Sequence, residues 1–174
     1  MLCLSLVVMR CQPLRRALCS PHNQLKRSNM KNFKVEIPDN IDELKKSAAD
    51  KTSYKHRLQA VESLGEYKCQ QSKDILWRLM INDKVYAVQE AAFRKLQAFG
   101  EDVKLPKKKK GHLIKDINKK LGKVRDSLGG DFTADEFNQK FQAMYSVEFD
   151  IYSFEKKENF NSWVANVLAS LPKK

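Results

Sequence analysis

The chain has 174 residues, a formal net charge of +12 and a hydrophobic content of 42%. That length suits one domain or two small ones, and the apolar content is enough for a packed core. Only six Gly and five Pro argue against a turn-rich all-β fold. No apolar run approaches the roughly 18 residues of a membrane-spanning helix, so we expect none. The basic balance favours anionic partners or simple solubility and does not bear on the fold.

Residues 1–30 differ in composition from the rest of the chain. They contain no acidic residue and hold three of the four cysteines. Positive charge does not precede their apolar stretch, as it would in a secretory signal. We interpret the segment as a disordered leader, or as sequence upstream of a true start at Met30, and a transit peptide remains an alternative. Cys69 is the one cysteine outside it, which favours a reducing compartment and hence the cytoplasm.

Helical periodicity dominates residues 39–102, which predict four amphipathic helices. The first begins at Asp39 or Asn40, the third has Ser72 as its cap, and the fourth ends at Gly100. Apolar positions recur three and four residues apart, as one buried helix face requires. These positions are Ile41, Leu44 and Ala48 in the first helix, Leu58, Val61 and Leu64 in the second, Ile75, Leu76, Leu79 and Met80 in the third, and Val85, Val88, Ala92, Leu96 and Phe99 in the fourth.

Two of these helices are related by an internal repeat. The stretch YKHRLQAVESL at 54–64 aligns with YAVQEAAFRKL at 86–96, which begins 32 residues later. Small residues at the equivalent positions Ala60 and Ala92 allow the helix axes to approach closely. The repeated residues resemble the HEAT repeat family, especially its short bacterial, phycobilin-lyase-like type. They are Asp83, Val85, Val88, Gln89, Ala92 and Leu96 in the later copy, and Arg57, Ala60 and Leu64 in the earlier one.

The resemblance implies an all-α fold with a short α-solenoid of antiparallel helix pairs over residues 39–102. HEAT-type stacks present extended faces to other macromolecules, so it also implies a non-enzymatic, protein-binding adaptor. We expect the partner to bind the third helix at Trp77, Arg78 and Ile81. Because two repeats are few for a continuous core, the C-terminal third is expected to cap the stack.

A charged connection over residues 103–111, without apolar periodicity, is expected to be an exposed basic linker. The helix predicted over 112–128 has an apolar stripe and a lysine-rich side. A solvated face explains scattered lysines, but the four consecutive lysines at 107–110 repel one another. If these groups share a surface, it binds phosphates with little sequence specificity, or docks an acidic protein or an anionic membrane. Non-specific nucleic-acid binding is therefore the second hypothesis, through Lys107, Lys108, Lys109, Lys110, Lys115, Lys119, Lys120, Lys123 and Arg125.

Two further helices are predicted near the C-terminus. The first opens with a capping box of Thr133 and Glu136, and the last ends at Pro172. Between them, residues 146–154 alternate in polarity, so a short hairpin and a helical turn both stay open. Residues 112–174 are thus predicted to form a basic tri-helical region. It is either a winged-helix-like module or a solenoid cap, and the helix at 112–128 could also complete the last repeat.

The sequence offers few catalytic or metal-binding patterns. Its three His residues lie in different segments, and no paired Cys motif, nucleophile elbow or phosphate-loop pattern occurs. We therefore predict no cofactor and no metal. His56 is expected to be a hydrogen-bonded core histidine and His112 to be solvated. One branch of HEAT-like proteins excises alkylated bases from DNA. Asp74, Trp77 and Arg78 invite that comparison, so a DNA-repair or lyase-like enzyme is the third hypothesis.

Overall fold

The structure is a computed structural model that describes residues 32–109 and 111–172. Within these residues the fold is all-α, as predicted, with a 3-10 turn at Lys157–Asn159 and one isolated β-bridge between Lys34 and Tyr67. The predicted leader and Lys110 lie outside the described residues. In chain order the helices are α1 (Ile41–Ala49), α2 (Tyr54–Leu64), α3 (Gln70–Asn82), α4 (Tyr86–Ala98), α5 (Ile117–Leu128), α6 (Ala134–Met144), α7 (Ser146–Lys156) and α8 (Phe160–Ser170).

Helices α1 to α4 form two pairs around a mainly aliphatic core that also contains Phe99, and we call it the first core. α1 packs against α2 and α3 against α4, while α2 lies against α4 and α1 contacts α3. Most of the predicted apolar positions are buried, and Ile41 and Leu58 lie partly buried at the edge. The residues of the first core that are 0% exposed are Val61, Leu64, Leu76, Val88, Ala92 and Leu96.

The loop between α1 and α2 and the loop between α3 and α4 are stabilised by the same pattern of hydrogen bonds. Each loop contains an Asp whose carboxylate accepts a hydrogen bond from the N–H two residues further on, at 2.8 Å for Asp50 and 2.7 Å for Asp83. The carbonyl oxygens of the same two residues accept hydrogen bonds from Arg57, at 2.6 Å, and from Gln89, at 2.8 Å. Arg57 and Gln89 are aligned in the sequence repeat, so the repeat has a counterpart in hydrogen bonding.

Helix α3 begins at Gln70, with Cys69 before it, so the prediction that Ser72 caps this helix is wrong. Ser72 is fully buried, and its hydroxyl accepts a hydrogen bond from the Cys69 thiol at 3.3 Å. The chain ahead of α3 is held by Lys34, whose backbone N–H and C=O pair with residues 66–68 at 3.0 and 2.7 Å. These long-range bonds fix where the helix begins, because they set the path of the chain that enters it.

The segment at 103–111 is not wholly exposed, contrary to the prediction. Val103 is only 8% exposed and belongs to the first core. Just before it, Glu101 forms an ion pair with Lys73 at 2.7 Å. The start of the connection is therefore fastened to α3 and the first core, while Lys107, Lys108 and Lys109 are exposed.

The C-terminal region contains four helices instead of the three predicted. Residues 146–154 belong to α7, so the hairpin alternative is wrong. α5 begins at Ile117 and not near residue 112, because Asp116 has a φ of 59°, which is incompatible with a right-handed helix. The principal neighbours of α5 are α6 and α8.

A second core, rich in aromatic rings, fills this region. The predicted capping box of Thr133 and Glu136 is present at the start of α6. Phe132 packs against Phe137 with the ring centroids 5.6 Å apart. Met144, the last residue of α6, is 40% exposed. The buried residues of the second core are Ile117, Leu121, Val124, Phe137, Phe141, Tyr152, Phe160 and Val164.

Helix α7 lies between the two cores. Ile151 is buried in the first core, with Val147 and Phe154 beside it. Tyr152 is buried in the second core, and Phe149 packs there as well. Both sides of this helix are therefore apolar, and it joins the helix pairs to the C-terminal region.

Candidate functional site

The three residues predicted to bind a partner lie on the exposed side of α3. Trp77 is 43% exposed and Ile81 is 48% exposed, and the two are one helical turn apart. Arg78 is also exposed. We call this surface the α3 face, and it combines two large apolar side chains with a guanidinium.

An open groove of about 580 Å³ lies beside the α3 face. Its lining comes from α1 and the loop after it, from Arg57 of α2, from α3 and the loop after it, and from α7. Its floor is formed by buried and half-buried aliphatic side chains, with the buried side chains of Arg57 and Asp83 beside them. Its exposed lining residues are three cations, which form its rim, and the uncharged Ala49 and Asn82. We call it the α3 groove; its floor includes Ala48, Leu79, Val147 and Ile151, and its rim includes Lys51, Arg78 and Lys84.

The rim cations of the α3 groove have no neutralising partner. Within the described residues, neither Lys51, Arg78 nor Lys84 forms an ion pair or a side-chain hydrogen bond. Three unpaired positive groups around one groove give it a positive electrostatic potential.

A buried ion cluster fixes the walls of the α3 groove. The Arg57 guanidinium donates to the Asp83 carboxylate at 2.7 Å and to the Asp150 carboxylate at 3.2 Å. These side chains are 6%, 4% and 7% exposed, respectively. Asp150 also accepts a hydrogen bond from the N–H of Tyr54 at 2.8 Å. The cluster thus ties α7 to α2 and to the loop after α3.

The hydrogen bonds within this cluster give it a structural role. Burying a charge is costly unless it is paired and hydrogen-bonded, and here each carboxylate accepts from a guanidinium and from a backbone N–H. Neither Asp83 nor Asp150 is left as a free acid or base. We therefore assign the cluster to positioning α7 and not to catalysis.

The lysine run approaches the α3 face from the other side of the loop after α3. Lys107, Lys108 and Lys109 line a cavity of about 170 Å³ together with Ile81 and Lys84. Lys108 pairs with Glu155 of α7 at 3.1 Å. Lys107 and Lys109 have no such partner among the described residues. The two sites predicted separately from the sequence therefore meet at the end of α3.

The rest of the predicted basic patch is partly neutralised. Lys119 pairs with Asp116 at 3.0 Å, and Arg125 with Asp126 at 2.9 Å. Lys120 is bound to Glu148 of α7, and its ammonium lies 5.3 Å from the ring of Tyr145. In the part of the chain that the structure describes, Lys115 and Lys123 are exposed and unpaired. Lys110 lies outside that part, and the patch is weaker than its sequence suggests.

A further cavity of about 510 Å³ lies between the lysine run and the last helices. Lys109, His112 and Lys156 line it, together with the ring of Trp163. Trp163 stacks on Tyr152 with a centroid distance of 4.7 Å and an interplanar angle of 7°. Burial raises the pKa of the Tyr152 hydroxyl above its ordinary value. This cavity combines positive charge with an aromatic surface.

The two histidines of the described chain are both exposed, so the prediction of a core position for His56 is wrong. His56 lies at the start of α2, where its Nδ1 is 2.9 Å from the Asp50 carboxylate. Hydrogen bonds from the Thr52 hydroxyl and from His56 lower the Asp50 pKa to about 2. His112 is solvated, as expected.

No group of His, Cys, Asp or Glu residues suited to hold a metal ion occurs among the described residues. Asp74, considered for base excision, accepts a hydrogen bond from Gln70 at 2.7 Å on the surface of α3. None of the helices in the described ranges combines the length and apolar composition that crossing a bilayer requires.

Comparisons with protein-family models, with curated proteins and with solved structures gave no match. The HEAT resemblance therefore stays a prediction from the repeated residues.

Three residues of the candidate site are not predicted from the sequence. Lys51 and Lys84 follow α1 and α3 in the chain, and folding places them on one rim with Arg78. Asp150 joins the buried ion cluster from 93 residues away. A signal for it existed, because an acid within the apolar run YSVEFDIYSF suggests a buried and paired carboxylate.

Proposed function

We propose that the chain is a protein-binding adaptor built on a short HEAT-like solenoid, with the α3 face as its contact surface. Two features support the solenoid. The helix pairs α1–α2 and α3–α4 pack on each other, and both loops use an Asp and an aligned Arg or Gln in the same way. A cytoplasmic location suits this proposal, because the described residues contain one cysteine, Cys69, and it is a buried free thiol.

The observation that carries the proposal is the exposure of Trp77 and Ile81 one turn apart. Trp and Arg are the residues most often found at the energetic centres of protein interfaces. An indole that is 43% exposed on a rigid helix offers a large contact area with little loss of side-chain entropy. Arg78 lies beside it and adds a charged group of fixed geometry.

Affinity capture with matched variants tests this proposal. The full chain, a Trp77→Ala/Ile81→Ser variant and a Val35→Ser control are used as baits in extracts of cells that produce the protein. Val35 is 77% exposed and lies outside α3. Loss of an interface tryptophan costs about 2 kcal/mol, which weakens binding roughly 30-fold. The α3 variant should therefore lose partners that the control retains. Equal recovery by all three baits would refute the proposal.

Nucleic-acid binding is a second candidate, and the unpaired Lys107 and Lys109 favour it. Lys109 lines the cavity that Trp163 also lines, and Lys107 lines the smaller cavity next to it. Phosphates bind positive groups and bases stack on aromatic rings, so these surroundings suit a nucleic acid. The test is fluorescence anisotropy with a labelled random single strand and duplex at several salt concentrations. The logarithm of the affinity should fall linearly with the logarithm of the salt concentration, and the Lys107→Ser/Lys109→Ser variant should not bind. Lys119→Ser serves as the control, because Lys119 is already paired with Asp116. Absence of binding at low salt would eliminate this candidate.

A further inference from the structure

We propose that the α3 groove binds an extended peptide of the partner in which acidic side chains flank an aliphatic one. The inference rests on the proposed adaptor function and specifies the chemistry of the partner segment that binds next to the α3 face. The groove borders the α3 face through Arg78, so a partner that covers Trp77 can continue into it.

The charge on the rim of the groove indicates acidic residues in the peptide. Lys51, Arg78 and Lys84 are exposed, and none has a partner among the described residues. The acid that lines the groove, Asp83, is only 4% exposed and is already bonded to Arg57. It therefore repels an incoming carboxylate little, and the rim presents positive charge alone.

The floor of the groove indicates an aliphatic side chain between the acids. Leu79 and Ile151 are buried at 6% and 3% exposure, and Ala48 and Val147 continue this apolar surface. A volume of about 580 Å³ is within the range of pockets that enclose a ligand. A branched aliphatic side chain would displace water from this floor, and carboxylates alone would leave it wet.

The same lining argues against a nucleic acid in this groove. Bases bind single-strand sites largely by stacking on aromatic rings. Among the described residues that line the α3 groove there is no aromatic side chain. The rings near the lysine run belong to the other cavity, where Tyr152 and Trp163 stack.

Selection from a display library of random twelve-residue peptides tests the inference on the full chain. We expect enrichment of sequences in which Asp or Glu flanks Leu, Ile or Val. The affinity of the strongest peptide should fall about tenfold or more in Lys51→Glu and in Lys84→Glu. The control Lys140→Glu makes the same charge change on α6, away from the groove, and should leave binding unchanged.

Three outcomes would overturn the inference. The first is a selection that does not enrich peptides in which acidic residues flank an aliphatic one. The second is a loss of peptide affinity in Lys140→Glu as large as in Lys51→Glu and Lys84→Glu. The third is that Lys84→Glu abolishes binding of a labelled nucleic-acid single strand and leaves peptide binding unchanged. These outcomes can be distinguished from failure of the adaptor proposal, because the Trp77→Ala/Ile81→Ser variant tests the adaptor proposal separately. If the Trp77→Ala/Ile81→Ser variant loses its protein partners while Lys51→Glu still binds the peptide, only the assignment of the peptide to the α3 groove is wrong.

Discussion

The two halves of the described chain fill their cores in different ways. In α1–α4 the buried core residues are aliphatic except for Phe99, and the fully buried Ala92 lets repeated helices approach closely. In α5–α8 the ring of Phe141 lies within 6.4 Å of four other rings, and no sequence repeat is evident. Aliphatic side chains substitute for one another easily, whereas aromatic rings require particular relative orientations. The C-terminal half should therefore be the less tolerant of substitution.

The halves also differ in their connection to the candidate surface. Trp77, Arg78 and Ile81 belong to the first half, whereas α7 of the second half supplies Val147 and Ile151 to the groove. Arg57 and Asp150 join the two halves at that point. Substitutions in both halves test how differently the two halves are stabilised and how firmly they are joined.

Phe141→Ala should destabilise the chain by about 4 kcal/mol, because it leaves a cavity among the stacked rings. Leu96→Ala, which is equally buried in the first core, should cost roughly 3 kcal/mol. Urea unfolding followed by circular dichroism measures both. A larger loss for Leu96→Ala would contradict the contrast between the two cores.

Arg57→Met should cost about 3 kcal/mol, because it leaves Asp83 and Asp150 buried without their cation. The matched control is Arg94→Met, whose pair with Glu90 is exposed and should contribute little. We also expect the two halves to unfold less cooperatively with each other. In a Trp77→Phe background, Trp163 fluorescence reports on the second half and circular dichroism on both halves. The unfolding transitions measured by these two probes should no longer coincide. Coincident transitions would show that the halves are joined by other contacts.

Replacing one glycine in each half by alanine should change the stability of the chain in opposite directions. Gly100 has a φ of 88° at the end of α4, so Gly100→Ala should cost about 1 kcal/mol. Gly122 lies inside α5, and an added methyl group would meet only Leu171 Cδ1, at 3.3 Å. Since Leu171 lies beyond the end of α8 and can yield, Gly122→Ala should stabilise by up to about 0.8 kcal/mol. Thermal unfolding measures both, and equal signs would contradict the assignment.

The smallest effect should come from Asp50 in the first half. Its pKa is about 2 in the folded chain and 3.8 as the ordinary value. A depressed folded pKa contributes stability above about pH 3.8 that is lost as the pH falls toward 2. Asp50→Asn should therefore be less stable by roughly 0.5 kcal/mol at pH 6, since the side chain is partly screened by solvent. At pH 2 the two proteins should converge, and a constant difference would contradict the pKa.

The sequence predicts most of the first half because its helices bury one face each. Val61, Leu64, Val88 and Leu96 recur at helical spacing, and all are fully buried. In the second half, α7 has apolar residues on two sides because it lies between two cores. Apolarity on two helix faces produces an alternation that resembles a strand, and local periodicity cannot distinguish the two.

The candidate site is predictable only where its residues are adjacent in sequence. Trp77 and Ile81 are one turn apart on a predicted helix, so their shared face follows from the spacing. The rim of the α3 groove is different, because Lys51 and Lys84 come together through the packing of α1 against α3. The neutralisation of Lys120 likewise depends on Glu148 of α7, a segment for which the sequence leaves a hairpin and a helical turn both open.

The most direct test of the α3 face is site-specific photo-crosslinking in cells that produce the protein. A photoreactive amino acid replaces Trp77 in one version and Met144, which is 40% exposed on α6, in the other. We predict a crosslinked protein partner from position 77 and none from position 144. Crosslinks at position 144 with none at position 77 would place the partner elsewhere and contradict the assignment of the α3 face.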